Sequence, residues 1–197
     1  MVEKRLFDLV VAISGVAFFL PVLIMIGVLI VLEDGRPIFF IQHRLGKGLN
    51  PFRVVKFRSM HDGKITRTGR WIRATGLDEV LQFINVLNGS MSMVGPRPLT
   101  EEDAGRLGWS DVENPRFRVL PGITGLSQLY AGKGVRVSAF LEKRYVAEMS
   151  LGLDCKIIFL SFLVNVLGKK RVQRWLHRQR RHERMKRRAG EVFNRAC

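Results

Sequence analysis

Asp78 and Glu79 stand side by side in the stretch GLDEVLQFINVLNGSMSMVGPRP, Gly76 to Pro98, ahead of an arginine held between two prolines. Paired acids beside an anion site invite Mg²⁺, which is commonly held by one or two carboxylates plus substrate phosphates. An aspartate can also attack phosphorus to give an acyl phosphate. Leu77, Val80, Leu81, Ile84 and Leu87 recur at helical spacing, and Gly89 and Ser90 follow as stop signals. The spacing predicts an amphipathic α-helix from Leu77 to Asn88. Asp78 and Glu79 then fall in its first turn, where unpaired N–H groups favour carboxylates and equally a nearby phosphate. Two acids in a first turn are also ordinary dipole complements, so the dyad needs support from elsewhere.

That support comes from Gly95-Pro96-Arg97-Pro98. Proline fixes its own φ and restricts the residue before it, so Arg97 is pre-aimed at a planar anion between Pro96 and Pro98. Upstream, VVKFRSM (Val54 to Met60) carries Lys56 and Arg58, candidates for holding a diphosphate. Downstream, PGITGLSQ (Pro121 to Gln128) is a tight loop able to bring backbone close to a ligand. His61 beside Asp62 is far below the ligand count a metal requires. Gly46-Lys47-Gly48 lacks the spacing of a phosphate loop and reads as a turn. Arg73 is placed either to pair with Asp154 or to face substrate.

These motifs, in this order over roughly Lys4 to Leu167, resemble the bacterial sugar transferases, the monotopic phosphoglycosyl transferases. The resemblance implies transfer of a sugar 1-phosphate from a UDP-sugar to a polyprenol (undecaprenyl) phosphate, with release of UMP. It makes Asp78 the nucleophile that forms a covalent phosphosugar intermediate. Glu79 becomes the ligand of Mg²⁺, and Lys56, Arg58, Pro96, Arg97, Pro98 and Gln128 the substrate-binding set. The sequence departs from the family pattern at Leu20, which precedes Pro21 where a serine is usual. It departs again at Ser90, Leu120 and Leu126, where Asp, Arg and Trp are usual. These changes bear on local contacts more than on reaction class.

The elements that must position these residues begin with a run of 27 residues, Leu6 to Leu32, apolar except for Asp8, Ser14 and small breakers. It lacks the cleavage site of a signal peptide. As a straight helix it is ~40 Å long, enough to span a hydrocarbon core of ~30 Å. Pro21 interrupts it near the middle, and Lys4 and Arg5 precede it while a basic body follows, which favours a return to the same side. The residues alone leave span and hairpin open; the resemblance implies a re-entrant helix on the cytoplasmic face of the bacterial inner membrane.

After it, Pro37 to Gln42 and the segment beginning at Pro51 read as a β-hairpin. Acidic residues around Trp109 read as a solvated face, Ser138 to Met149 as a helix, and Cys155 to Leu167 as a buried or interfacial helix too short to span. The expected fold is therefore α+β and mostly helical, with a re-entrant membrane helix-break-helix (1–34), a catalytic domain (35–168) and a basic tail (169–197).

Composition agrees with one domain plus one membrane element: 197 residues, 47% of them hydrophobic. The net charge of +16 is concentrated in 169–197, which holds 12 basic and 2 acidic residues. Such a tail suits anionic lipid; nucleic acid is the rival partner, disfavoured by the apolar run, and a homo-oligomer stays open. The alternative class is a membrane-tethered binding protein for anionic polymers, without catalysis. Two cysteines exclude a disulfide framework and any cysteine-rich metal site, and fit a reducing compartment.

Overall fold

The chain is described by a computed structural model that covers residues 2–130, 134–168 and 171–172. It divides into two units, Met1–Ile158 and Phe159–Cys197. The basic tail lies outside the described residues apart from Arg171 and Val172. In the second unit Phe159, Phe162, Val166 and Leu167 are exposed apolar side chains.

The apolar run forms α1 (Val2–Asp34), and it is helical straight through Pro21. The expected helix-break-helix is thus a single continuous helix. Proline removes only its own N–H, so one hydrogen bond is lost, and its fixed φ is compatible with helix; the apolar turns on both sides carry the element across. One stripe of α1, through Asp8, Ala12, Ile26 and Ile30, is buried. Ile26 and Ile30 join Phe57, Ile72 and Leu81 in the core. Phe18, Leu20, Ile24, Val28 and Leu32 are exposed on the same helix.

Both ends of α1 are tied to the first unit by polar groups. Near its start, Lys4 Nζ contacts Asp154 at 2.7 Å and Asp8 at 3.4 Å. The Asp8 carboxylate also accepts from Ser92 Oγ at 2.8 Å and the Met93 amide at 3.1 Å. Tyr145 donates to Asp154 at 2.8 Å. An acid inside an apolar helix is costly unless paired, and here each carboxylate has its partners. At the other end, Glu33 accepts from the amides of Arg67 and Thr68, at 2.6 and 2.8 Å.

The hairpin is present, with β1 (Phe39–Leu45) antiparallel to β2 (Pro51–Phe57) and Phe39 opposite Phe57. Its first strand runs three residues beyond the expected end. A short ribbon, β3 (Met60–His61) and β4 (Lys64–Ile65), leads to α2 (Arg67–Thr75). Gly76, at φ 72°, ends α2 and turns the chain into the acidic segment.

The expected α-helix from Leu77 to Asn88 is two elements, a 3₁₀ segment (Leu77–Gln82) and α3 (Phe83–Leu87). The Glu79 amide already bonds back to Gly76. A 3₁₀ helix turns about 120° per residue against about 100° for an α-helix, so six residues rotate the following face by roughly 120°. Ile84, expected in the core, is 48% exposed, while Asn85 and Val86 are buried.

Next come β5 (Ser92–Val94), α4 (Glu101–Arg106), β6 (Gly122–Thr124), α5 (Leu126–Leu129), α6 (Val135–Glu148) and α7 (Leu151–Leu167). The last two helices begin three and four residues ahead of the sequence expectation. With 17 residues, α7 still falls short of the ~20 that a span requires. Strands β5 and β6 pair in parallel, Ser92 opposite Gly122 and Val94 opposite Thr124, which no sequence pattern announced.

Removing one carboxylate of the α1 anchor strands its partners. Asp154→Ala should lower stability in detergent by about 3–5 kcal/mol, because Lys4 loses its closest partner. Tyr145→Phe should lower it by about 1–2 kcal/mol. Thermal unfolding of the two variants beside the parent checks both the order and the gap.

Candidate active site

The two short motifs on either side of the cleft are joined backbone to backbone. The Gly95 amide donates to Thr124 O at 3.0 Å, and the Gly122 amide donates to Pro96 O at 2.9 Å. A Cβ on Gly122 would lie 2.0 Å from Gly95 N, and one on Gly95 would lie 2.4 Å from Leu120 O. Glycine is therefore needed at both positions for contact rather than for an unusual φ. This contact sets GPRP against PGITG and delivers Arg97, Pro98, Ile123 and Gln128 to one cleft.

The cleft is about 300 Å³, part of it open solvent, and its lining also includes Arg44, Lys56, Glu79 and Gln82. Lys56 Nζ lies 3.3 Å from Glu79 Oε1. Arg44 donates to Pro98 O at 3.2 Å and to Gln42 Oε1 at 2.6 Å. Its pKa is pushed down, first by burial and then by the charge of Arg97. Cations crowded in this way favour an anionic occupant. Gln128 donates to Ile123 O at 3.3 Å, while its buried Oε1 has no partner among the described residues. That acceptor is available to a ligand donor.

Arg97 is supported from behind by a buried pair. Its amide donates to Glu142 Oε1 at 3.4 Å, and its carbonyl accepts from Arg116 Nη2. Arg116 and Glu142 form an ion pair at 3.4 Å, and Ser127 Oγ donates to Glu142 at 3.0 Å. The Arg116 guanidinium also lies 4.8 Å from the centre of the Trp109 ring. Trp109 therefore does more than sit in a solvated acidic patch.

Asp78 neighbours this cleft through Glu79 but is not part of its lining. Its pKa is raised, mainly by burial and then by the Glu79 charge, against the lowering pull of Lys56 and Arg73. No cluster of three or more His, Cys, Asp or Glu exists among the described residues. The donor set is thus two adjacent carboxylates, which suits Mg²⁺ only when substrate oxygens complete its shell.

Of the residues singled out from sequence, Lys56, Glu79, Arg97, Pro98 and Gln128 converge on the cleft. Pro96 lines an adjoining hollow with Arg97 and Arg116. Arg58 is committed elsewhere: it donates to Asp34 O at 3.2 Å and Gly35 O at 2.8 Å, at the C-terminal end of α1. Arg73 does not pair with Asp154, which belongs to Lys4 and Tyr145. Its Nε donates to Ser59 Oγ at 2.8 Å, and its charge is felt at Asp78. Ser90, in place of the usual Asp, donates to Asn88 Oδ1 at 2.7 Å and closes the turn after α3.

Arg44, Gln82 and the Arg116–Glu142 pair were not foreseen. Arg44 stood next to a turn signal, and only the hairpin register brings it to the cleft. Asp8 did carry a signal, since a lone acid in an apolar helix requires buried partners.

Comparison with known proteins agrees with the motif order. A family model described as bacterial sugar transferase matches residues 1–168. An undecaprenyl-phosphate glucose phosphotransferase of Komagataeibacter xylinus is 37% identical over 82% of this chain and 35% of its own length. A UDP-N-acetylgalactosamine-undecaprenyl-phosphate N-acetylgalactosaminephosphotransferase of Aeromonas hydrophila is 37% identical over 84% of this chain and 44% of its own length. The chain thus spans less than half of these two relatives. It covers 86% of the uncharacterized sugar transferase EpsL of Bacillus subtilis, at 35% identity over 82% of this chain.

The raised pKa of Asp78 has a consequence for stability. A carboxyl whose pKa is higher folded than unfolded favours the fold below its unfolded pKa and loses that contribution as pH rises through the folded value. Asp78→Asn should therefore raise the melting temperature of the ligand-free protein at neutral pH. The difference should vanish as pH falls below the ordinary aspartate range, a trend that a series of melts against pH checks.

Proposed function

The chain belongs to the bacterial sugar transferase family, and on that premise we propose that it transfers a sugar 1-phosphate from a UDP-sugar to a polyprenol phosphate, releasing UMP. The observation that carries this reading is the Asp78–Glu79 pair set at a cleft lined by Arg44, Lys56 and Arg97. In the first step an Asp78 oxygen attacks the sugar-bearing phosphorus. The bond from that phosphorus to the bridging oxygen breaks, and UMP leaves with the electron pair. In the second step an oxygen of the polyprenol phosphate attacks the phosphorus of the phosphoaspartate. Asp78 is released as carboxylate, and the product is a polyprenol diphosphate sugar.

The roles follow from position. An ionised carboxylate needs no base to make it nucleophilic, and partial desolvation of Asp78 leaves its oxygens less masked by water. Lys56 steers Glu79, at 3.3 Å. Arg44 and Arg97 receive diphosphate oxygens, the geometry in which planar guanidiniums bind best. The free Gln128 oxygen accepts from a base or sugar N–H or O–H. Glu79, with Asp78 beside it, would hold Mg²⁺ together with donor phosphate oxygens, and the ion would supply charge neutralisation.

Membrane placement is part of the reading. A helix whose two ends are both held by polar groups of one body does not set those ends on opposite sides of a bilayer. That supports a monotopic seat for α1 on the cytoplasmic face, with its exposed apolar side in lipid. Exposed Phe39, Phe40 and Ile41 on β1 extend the apolar surface. A site at headgroup depth meets a soluble donor and a lipid acceptor without extracting the lipid.

Intact-protein mass spectrometry with Mg²⁺ and a panel of UDP-sugars, without polyprenol phosphate, tests the covalent step. The parent should gain one sugar phosphate and Asp78→Asn none. Normal turnover with lipid but no adduct in the parent would point to direct transfer. Release of sugar phosphate to water without acceptor would mark a hydrolase instead. Arg44→Ala, which leaves both acids in place, should cut kcat/KM for the donor by about 10²–10³-fold, measured by UMP release.

A further inference from the structure

A second cavity, larger than the cleft and sharing none of its described lining residues, encloses about 1230 Å³ counting space open to solvent. It is walled by the start of α1, by Lys47 in the hairpin turn, by Arg118 to Leu120, and by the corner between α6 and α7. From these walls we infer that it binds one anionic phospholipid, with the phosphate held by Lys47 and Arg118 and an acyl chain laid along the apolar wall.

The cations are disposed for an incoming anion. Lys4 and Arg5 also face the cavity but are already engaged, Lys4 by two carboxylates and Arg5 by the Val86 and Leu87 carbonyls. Lys47 makes no side-chain hydrogen bond or ion pair among the described residues. Among the described residues Arg118 meets only Glu113, at 3.4 Å, with both side chains exposed. A surface pair of that kind yields readily to a better anion. Glu3 and Asp8 also contribute to the walls. The Asp8 carboxylate is consumed by Lys4, Ser92 and Met93, which leaves it no role as a cation ligand.

The rest of the wall selects the class of anion. Val94, Val119, Leu120, Met149 and Leu151 supply aliphatic surface, and the described lining residues include no aromatic ring to stack a nucleobase. An aliphatic wall with a cationic rim suits an amphiphile with a phosphate head. Val2 and Leu6, exposed on the first turns of α1, and Leu151, exposed on α7, continue the apolar surface beside the cavity. The occupant is distinct from the reacting acceptor, which must reach Asp78. Its bearing on the site is indirect: Val94 walls the cavity, and Arg97 on the same segment walls the cleft.

Native mass spectrometry of the full chain in detergent, titrated with phosphatidylglycerol or phosphatidylcholine, tests the assignment and reads no sugar transfer, so it stands or falls apart from the proposed reaction. The parent should retain one phosphatidylglycerol in preference to phosphatidylcholine. Lys47→Ala/Arg118→Ala, two exposed positions outside the cleft, should weaken that retention by about 25-fold, roughly fivefold per cation lost. Weak phosphatidylcholine binding should stay unchanged, as should the melting temperature. Equal retention of phosphatidylglycerol by parent and variant, or no preference between the lipids in the parent, overturns the site. Displacement of phosphatidylglycerol by inorganic phosphate alone assigns the cavity to a free anion, and displacement by polyprenyl phosphate at equal concentration assigns it to the acceptor. Either outcome rejects the phospholipid.

Discussion

Lys4 between Asp8 and Asp154 is the interaction on which the rest of the arrangement depends. Charges taken out of water are expensive unless each finds a partner, and this group is closed by Tyr145, Ser92 and the Met93 amide. Through it the first turns of α1 hold β5 and the first turn of α7. With Glu33 fixed on α2 at the far end, an apolar helix of 33 residues becomes one wall of the first unit. A long apolar helix is thereby given a definite position against the first unit and a definite exposed apolar side.

From β5 the constraint passes to the cleft by backbone alone. Glycines at 95 and 122 let two short strands touch where any Cβ would hold them apart. The parallel pair sets Arg97 and Gln128 on the same opening as Lys56 and Arg44. Behind Arg97, Arg116 and Glu142 occupy the interior as a mutually neutralising pair. Few of these interactions belong to one continuous segment, so the clamp exists only once hairpin, turn, loop and α6 are assembled. Asp78 sits in the half-buried environment that such an assembly creates, where burial and the Glu79 charge disfavour its own.

The site was legible as far as its members are marked by local chemistry. Asp78 with Glu79, Arg97 between prolines, Lys56 on a strand and Gln128 after a glycine loop all carry meaning within a few residues of themselves. Arg44 carries none until Leu45 is paired with Pro51, and Arg116 looks like one more cation in a basic chain. Arg58, just past the end of β2, donates to carbonyls at the end of α1, a pairing that no local pattern marks. The acidic segment misled in another way, because the apolar spacing of an α-helix persists in sequence when the backbone tightens to 3₁₀. Bonds of i→i+3 type, from Glu79 back to Gly76 and from Phe83 back to Val80, reveal the change of pitch, and with it the outward turn of Ile84.

What the sequence by itself determined is therefore what short-range rules can carry: the family through the order of its motifs, a mostly helical α+β chain, one long apolar helix, a hairpin, and an acidic pair near a fixed arginine. Tertiary structure decided the rest. It chose which cations face the cleft, which acid anchors α1, how the helix face is rotated after the 3₁₀ segment, and that α1 continues through Pro21. The physical reason is range. Periodicity, turn chemistry and proline geometry act within a few residues, whereas neutralising a buried charge or closing two glycines onto each other requires partners that the chain brings together from up to 150 positions away.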